Sequence, residues 1–518
     1  MQQEYCENGE KMGNLRTKKS IRNIATALAG QFVGILITFF ARMVFIRVLG
    51  AEYLGVNGMF ISVISMISLA EMGIGSAIIY SLYKPLALGE ERKIKALMLF
   101  YRSAYHIIAL VALVLGLSIL PFIHLIIKEK TTISNLNLIY LLFLADSVIS
   151  YFFAYKRSII EADQKNYILT TYRYVFLLVI NVVQIIVLVL TKNFILFLTV
   201  KIIFSFTENL MISRKAEEMY PFLKDKSVIK LDADEKRGIY KNVQALFFHR
   251  LGGIAVNGTD NILISAYAGI VIVGLYSNYY LIIAALNSII GQIFLSVTAS
   301  IGNLNALESK EKSYTIYKAI LFANFWFYGF SSICLYLLFN PFITLWLGNK
   351  YAMSELIVAI IVLNFFVSGM RKSTLMFRDS LGLFWNDRYK PLFESIINLV
   401  ASIILASRFG IIGVLLGTFI STMTTCFWVE PYVLYRNGFN SRLREYFYRY
   451  GLYVVVTLIA GSVTWYVIGL VDGSTITSFA VKLMICLIIP NLIFLLTFSW
   501  TKEFRYLLNI VMQVIKKA

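Results

Sequence analysis

The sequence predicts an all-α, polytopic membrane protein of about 14 transmembrane helices, arranged as two pseudo-symmetric six-helix lobes plus two extra C-terminal helices. The chain of 518 residues is 58% hydrophobic and only 15% charged, with a mean hydropathy of +0.73, far more apolar than a soluble protein of this length. Apolar windows long enough to cross a hydrocarbon core of about 30 Å recur from one end to the other. A turn also repeats: Gly50-Ala-Glu-Tyr-Leu-Gly55-Val56 returns 219 residues later as Gly269-Ile-Val-Ile-Val-Gly274-Leu275, each time between a polar-spotted apolar helix and another apolar run.

The windows fall at about 22–48, 54–82, 96–127, 134–155, 168–190, 194–213, 242–267, 271–300, 315–339, 352–370, 391–407, 411–435, 450–471 and 477–500. Lys11, Arg16, Lys18, Lys19 and Arg22 accompany the first, but it is too long for a signal-peptide core and has no small-residue cleavage site, so it is expected to remain as a span. Aromatic residues gather at span ends, as at Tyr276 to Tyr280 and Phe447 to Tyr450, where interfacial belts form. The longest charged interruption, Ser213 to Lys241, is the natural seam. It divides the chain into a cytoplasmic tail (1–21), an N-lobe (22–213), an inter-lobe linker (214–241), a C-lobe (242–435) and spans thirteen and fourteen with a cytoplasmic tail (436–518). Gly413-Val-Leu-Leu-Gly417, and Gly252 and Gly253 with Gly258, are small-residue patterns that let helices approach closely.

Basic residues set the orientation. With the N-terminus inside, cytoplasmic loops hold Lys84, Arg92, Lys93 and Lys95; Lys156, Arg157 and Lys165; Arg214 through Lys241; Lys310 and Lys312; Arg371 through Lys390; and Arg436 through Arg449. Outer loops hold only Lys128, Lys130, Lys192, Lys350 and Arg408. Both termini are therefore expected in the cytoplasm of a bacterial cell bounded by this membrane. The net charge of +19 is accounted for by these loops and implies no nucleic-acid partner. Three of the four cysteines lie in apolar windows and the three histidines are scattered, so neither a disulfide framework nor a metal site is expected. The short outer loops carry no domain for chemistry, and no phosphate-binding Gly-x-x-x-x-Gly-Lys stretch occurs. An enzyme is not indicated, and transport would draw on an ion gradient or on consumption of the product.

Several stretches resemble a known family. Thr259-Asp-Asn-Ile-Leu-Ile-Ser265, Val273-Gly-Leu-Tyr-Ser-Asn-Tyr279 and Ser300-Ile-Gly-Asn-Leu304 are similar to the seventh and eighth spans of Wzx-type polysaccharide flippases. Phe377-Arg-Asp-Ser-Leu-Gly-Leu-Phe-Trp-Asn-Asp-Arg-Tyr-Lys-Pro391 resembles the segment between their spans ten and eleven. These transporters belong to the multidrug/oligosaccharidyl-lipid/polysaccharide exporter superfamily. The resemblance implies a central cavity that alternates between leaflets and moves an undecaprenyl-diphosphate-linked oligosaccharide outward, with a polysaccharide polymerase and export machinery as partners. Fourteen spans also match the relatives that flip peptidoglycan precursor.

Depth counting proposes the site. Arg42 lies eight residues before Gly50, Lys201 seven after Phe194 and Asp260 nine before Gly269, all in one layer; Asp146, twelve after Ser134, lies slightly deeper. Eight residues are about 12 Å of helix. A charge near mid-bilayer costs at least about 2.5–3.5 kcal/mol and normally faces a bundle interior or an aqueous cavity. Arg42 and Lys201 are candidates for binding a lipid diphosphate, one by forked hydrogen bonds and the other as a point charge. The competing readings are snorkelling for Arg42 and a structural pair with Asp146 for Lys201. Arg250 is a third phosphate candidate, near the inner end of span seven. Asp260 and Asp146 are candidates for coupling to a proton or sodium ion, with no other cofactor expected. Glu71 reads as structural, and Arg47 as snorkelling. The alternatives are a multidrug/cation antiporter of the same superfamily and a membrane glycosyltransferase or polymerase.

Overall fold

No water reaches backbone groups in a bilayer core, so an apolar chain must satisfy them within each crossing, and helices result. The computed structural model describes residues 30–71, 74–123, 127, 132–225, 231–232, 235–237, 239–240, 243, 258–307, 309–473 and 475–517, which contain helices and no strand. Twelve helices among the described residues are long and apolar enough to span. They coincide with twelve of the fourteen expected windows. The window at 54–82 is instead a broken helix, Ala51–Ile67 and Ile74–Leu88, with a 3-10 turn at Ser68–Glu71. At the break Glu71 accepts a hydrogen bond from the Tyr105 hydroxyl at 3.1 Å, and a Cβ at Gly75 would stand 2.8 Å from that carboxylate. The window at 242–267 lies largely outside the described residues and continues as helix over 258–268.

The chain forms two compact units, Met1–Ile254 and Ala255–Ala518. The first holds α1 (Gly30–Leu49), α2 (Ala51–Ile67), α3 (Ile74–Leu88), α4 (Glu91–Ile119), α5 (Leu136–Ala162), α6 (Asn166–Thr191) and α7 (Phe194–Met219). Helices α4 and α5 cross closely because Gly116 has no side chain: a Cβ there would lie 2.3 Å from Leu144, and Tyr140 donates to the Gly116 carbonyl at 2.8 Å. The expected linker begins as the last turns of α7 and is fastened back to this unit. Lys95 pairs with Asp225 at 2.5 Å, Lys93 with Glu235 at 2.5 Å, and Tyr220 donates to Asp163 at 2.8 Å. Burial, reinforced by that carboxylate, raises the Tyr220 phenol above its ordinary value, so it remains a neutral donor.

The second unit holds α8 (258–268), α9 (Ile270–Leu307), α10 (Lys310–Trp346), α11 (Glu355–Ser380), α12 (Lys390–Phe409), α13 (Ile411–Thr424), α14 (Cys426–Val433), α15 (Leu443–Gly469), α16 (Ile476–Phe498) and α17 (Lys502–Lys517). The last two spans, α15 and α16, contribute side chains to its core. Phe325 of α10 stacks on Tyr453 of α15 at 4.2 Å and 8° and also meets Phe494 and Phe498 of α16. Gly413 and Gly417 permit the tight α12–α13 crossing, since Cβ atoms there would lie 2.2 Å from Leu405 and from Ser402. The repeated turns share local geometry. Gly50 and Gly269 have φ of 89° and 95°, and their N–H groups bond the carbonyls of Ile46 and Ser265, four residues back, at 2.9 and 3.2 Å. Nothing crowds a Cβ at Gly50, so positive φ is the reason for glycine there.

Two glycines give a paired prediction. A Cβ at Gly369 would lie 1.9 Å from the fully buried Tyr328 ring, whereas one at Gly451 meets nothing within 4 Å. Gly369→Ala is expected to destabilise the solubilised protein by about 1–3 kcal/mol, and Gly451→Ala to stabilise it by about 0.5–1 kcal/mol. Thermal unfolding in detergent measures both.

Candidate functional site

In the first unit, aromatic packing sets the register of α1 against α7. Phe45 contacts Phe197 at 5.3 Å and Phe194 at 5.7 Å, and Tyr53 contacts Phe194 at 5.3 Å. The helices run antiparallel, so Arg42 and Lys201, each one turn further from the Gly50 end, share a level. Arg42 is partly buried and Arg47 is exposed. Lys201 Nζ lies 3.0 Å from Asp146 Oδ2 and 5.4 Å from the Phe143 ring centroid. The structure thus unites Lys201, assigned to phosphate, with Asp146, assigned to coupling. A phosphate approaching Lys201 would compete with that carboxylate. Arg250 lies outside the described residues.

In the second unit, Asp260 of α8 lies in the neighbourhood of the Thr418 side chain on α13. Asn398 of α12, fully buried, donates to the same Thr418 hydroxyl at 3.0 Å. Thr418 in turn donates to the Val414 carbonyl at 3.4 Å, and Ser402 to the same carbonyl at 3.2 Å. One oxygen of Asp260 and the side-chain oxygen of Asn398 are buried without a hydrogen-bond partner. Each is a buried acceptor with capacity left for a donor or a cation. Depth counting found Asp260 but had no means of finding Asn398 or Thr418, which are uncharged.

Residues of α10, α11, α13, α14 and α15 line an open slot of about 550 Å³ in this unit. Its walls include Val362, Phe366, Phe419, Met423, Leu458 and Trp465, with Gly461 leaving part of its width free. Tyr450 and Phe427, 5.0 Å apart, form its floor. Both volume and apolar lining are those of a site for a hydrophobic ligand.

Sequence reasoning missed an ion network at the end of this unit where the basic loops lie. Glu430 of α14 is completely buried and accepts Arg371 Nη2 at 2.7 Å, Arg371 Nε at 3.0 Å and the Lys390 ammonium. Arg371 also reaches Glu394 at 3.4 Å, Lys390 lies 3.5 Å from Asp387, and Asp387 takes Arg378 at 2.5 Å. Three cations thus meet three carboxylates. The available signal was Glu430 itself, a charge inside the apolar window 411–435. Removing one partner from such a set strands a buried charge. Glu430→Gln is expected to cost about 3–5 kcal/mol in thermal or denaturant unfolding, while Asp379→Asn, at a carboxylate 49% exposed, should change stability by less than about 1 kcal/mol.

No protein-family model and no curated relative matches the chain. Solved structures do. The chain is similar to the lipid II flippase MurJ in an inward closed conformation, with TM-score 0.68 and 15% identity over 91% of this chain and 98% of that one. It is also similar to an inward-facing multidrug resistance MATE family transporter of the MOP superfamily, with TM-score 0.56 and 13% identity over 79% and 98% of the two chains. The Vibrio cholerae MATE transporter VcmN gives TM-score 0.55 and 13% identity over 83% and 99%. The all-α, many-span architecture of this chain is therefore the fold seen in these transporter structures.

Proposed function

We propose that the protein is a flippase that moves an undecaprenyl-diphosphate-linked oligosaccharide from the inner to the outer leaflet by ion-coupled alternating access, in the manner of a Wzx-type transporter. The observation that carries this reading is the pair of basic residues, Arg42 and Lys201, held at one level inside the membrane by the Phe45–Phe197 contact. A diphosphate loses hydration on entering a low-dielectric core, and fixed cations in a hydrated cavity replace part of it. A carrier of organic cations would be better served by an excess of acids, and here basic residues are at least as prominent as acids at that depth. The flippase among the structural neighbours aligns over more of this chain than the multidrug transporter does, 91% against 79%. On this reading the substrate arises in the cytoplasmic membrane of a bacterium and passes to a polysaccharide polymerase.

The reading assigns coupling to Asp260, with Asn398 and Thr418 completing the oxygen set for sodium or a proton. Asp146 then serves as the counter-ion that holds Lys201 until the diphosphate displaces it.

Reconstitution of the purified protein with lipid-linked oligosaccharide, scoring its appearance in the opposite leaflet at equal protein levels, tests the assignment. Arg42→Ala is expected to slow flipping by about 10- to 100-fold, the worth of a hydrogen bond to a charged group. Arg42→Lys, which keeps the charge and loses the fork, should fall between Arg42→Ala and the parent, and Arg47→Ala should be silent. Full activity in Arg42→Ala would remove the phosphate site from this residue. In the same vesicles Asp260→Asn should abolish the response of flipping to sodium and pH gradients. A response of parental size would place coupling elsewhere.

A further inference from the structure

The loop 381–389 between α11 and α12 is fastened at its base and displays a cation on its surface. Asp387, bonded to Arg378 and close to Lys390, ties the loop to both helices, and Gly382 turns it at a φ of 68°. On this base the Arg388 guanidinium carbon lies 4.2 Å from the Trp385 ring centroid and 4.6 Å from that of Tyr389. Trp385 and Tyr389 are 73% and 60% exposed. Arg388 donates one hydrogen bond, from Nη1 to the Trp385 carbonyl at 2.8 Å. Among the described residues no carboxylate pairs with it.

The helix that follows shows where this group stands. From Tyr389 onward the exposed apolar side chains of α12 include Phe393, Ile396, Val400 and Ile404, at 59%, 52%, 50% and 59%, with Leu392, Leu399 and Ile403 beside them. The first four are three or four residues apart and make one apolar stripe of a spanning helix. Tyr389 and Trp385 extend the stripe past its last hydrocarbon residue, into the zone where Trp and Tyr concentrate at membrane boundaries. Arg388 is thus at headgroup depth, held flat by two rings, with four N–H donors left for an oxygen ligand.

We propose that the Trp385–Arg388–Tyr389 sandwich binds the phosphate of an anionic phospholipid in the surrounding leaflet. A guanidinium matches two phosphate oxygens with a fork of parallel hydrogen bonds. Charge selects the phosphodiester over a lipid diphosphate. Arg388 supplies one positive charge, and its neighbours Arg378 and Lys390 are already taken by Asp387 and Glu430. A diphosphate would be left with unmatched charge. The site requires only that the chain cross a bilayer and does not depend on the transport reading.

The test uses the full chain in nanodiscs of phosphatidylcholine containing phosphatidylglycerol, with one or the other lipid brominated near the glycerol end of its acyl chains. The contribution of Trp385 is the difference in fluorescence quenching between the parent and Trp385→Phe. At matched mole fraction, brominated phosphatidylglycerol should quench Trp385 about two- to five-fold more than brominated phosphatidylcholine, the range expected of one exposed charge pair. Arg388→Gln should erase the preference, and Arg388→Lys should keep only part of it. Arg388 has no ion pair in the loop base, so an unchanged unfolding midpoint should accompany both variants. Equal quenching by the two lipids in the parent, or a preference that survives Arg388→Gln, overturns the site. Displacement of phosphatidylglycerol by a stoichiometric amount of polyprenyl diphosphate would overturn the choice of lipid.

Discussion

The cost of a charge in hydrocarbon governs this molecule. A charged side chain there must be paired, hydrated or moved to the boundary, and three sites show pairing or placement at the boundary. Lys201 and Asp146 pair across α5 and α7. Glu430 gathers Arg371 and Lys390 where three helices meet, and Arg388 lies at the end of an apolar stripe with its guanidinium between aromatic rings. A buried pair adds little net stability over an apolar equivalent, yet losing one member costs much. The ion network therefore restricts how α11, α12 and α14 can be arranged more than it strengthens their packing.

Between helices in lipid the hydrophobic effect supplies little, and close backbone approach takes over. Gly116, Gly369, Gly413 and Gly417 each occupy a point where a methyl group would collide with a neighbouring helix. Aromatic stacking around Phe325 then joins α15 and α16 to the second unit.

The polar groups divide into two kinds. Around Glu430 the carboxylate is supplied with donors from two cations, as a structural ion set should be. Around Asp260 a carboxylate oxygen and an amide oxygen remain without donors although buried. Unsatisfied acceptors are costly; Asp387 Oδ1 in the ion network is one as well, and the proposed function draws on those near Asp260. Lys201 lies between the two kinds, held by Asp146 yet partly exposed.

Hydropathy alone determined the class of the protein and nearly all its crossings, because spanning length and apolarity are properties of one segment at a time. The repeated glycine turns were legible for the same reason, since positive φ is a local demand that glycine meets. Depth counting reached Arg42, Lys201, Asp146 and Asp260 because it measures position along a helix axis. It gives no azimuth and no neighbour. Tertiary structure therefore decided that Lys201 meets Asp146, that Asn398 and Thr418 stand with Asp260, that Glu430 is the hub of a network, and that the last two spans join the second core. It also decided that the second apolar window breaks at Glu71, where a side-chain contact with Tyr105 from another helix accompanies the interruption. Each of those outcomes depends on which helix lies alongside which, and that is set by interlocking glycines, aromatic rings and charge pairs distant in sequence.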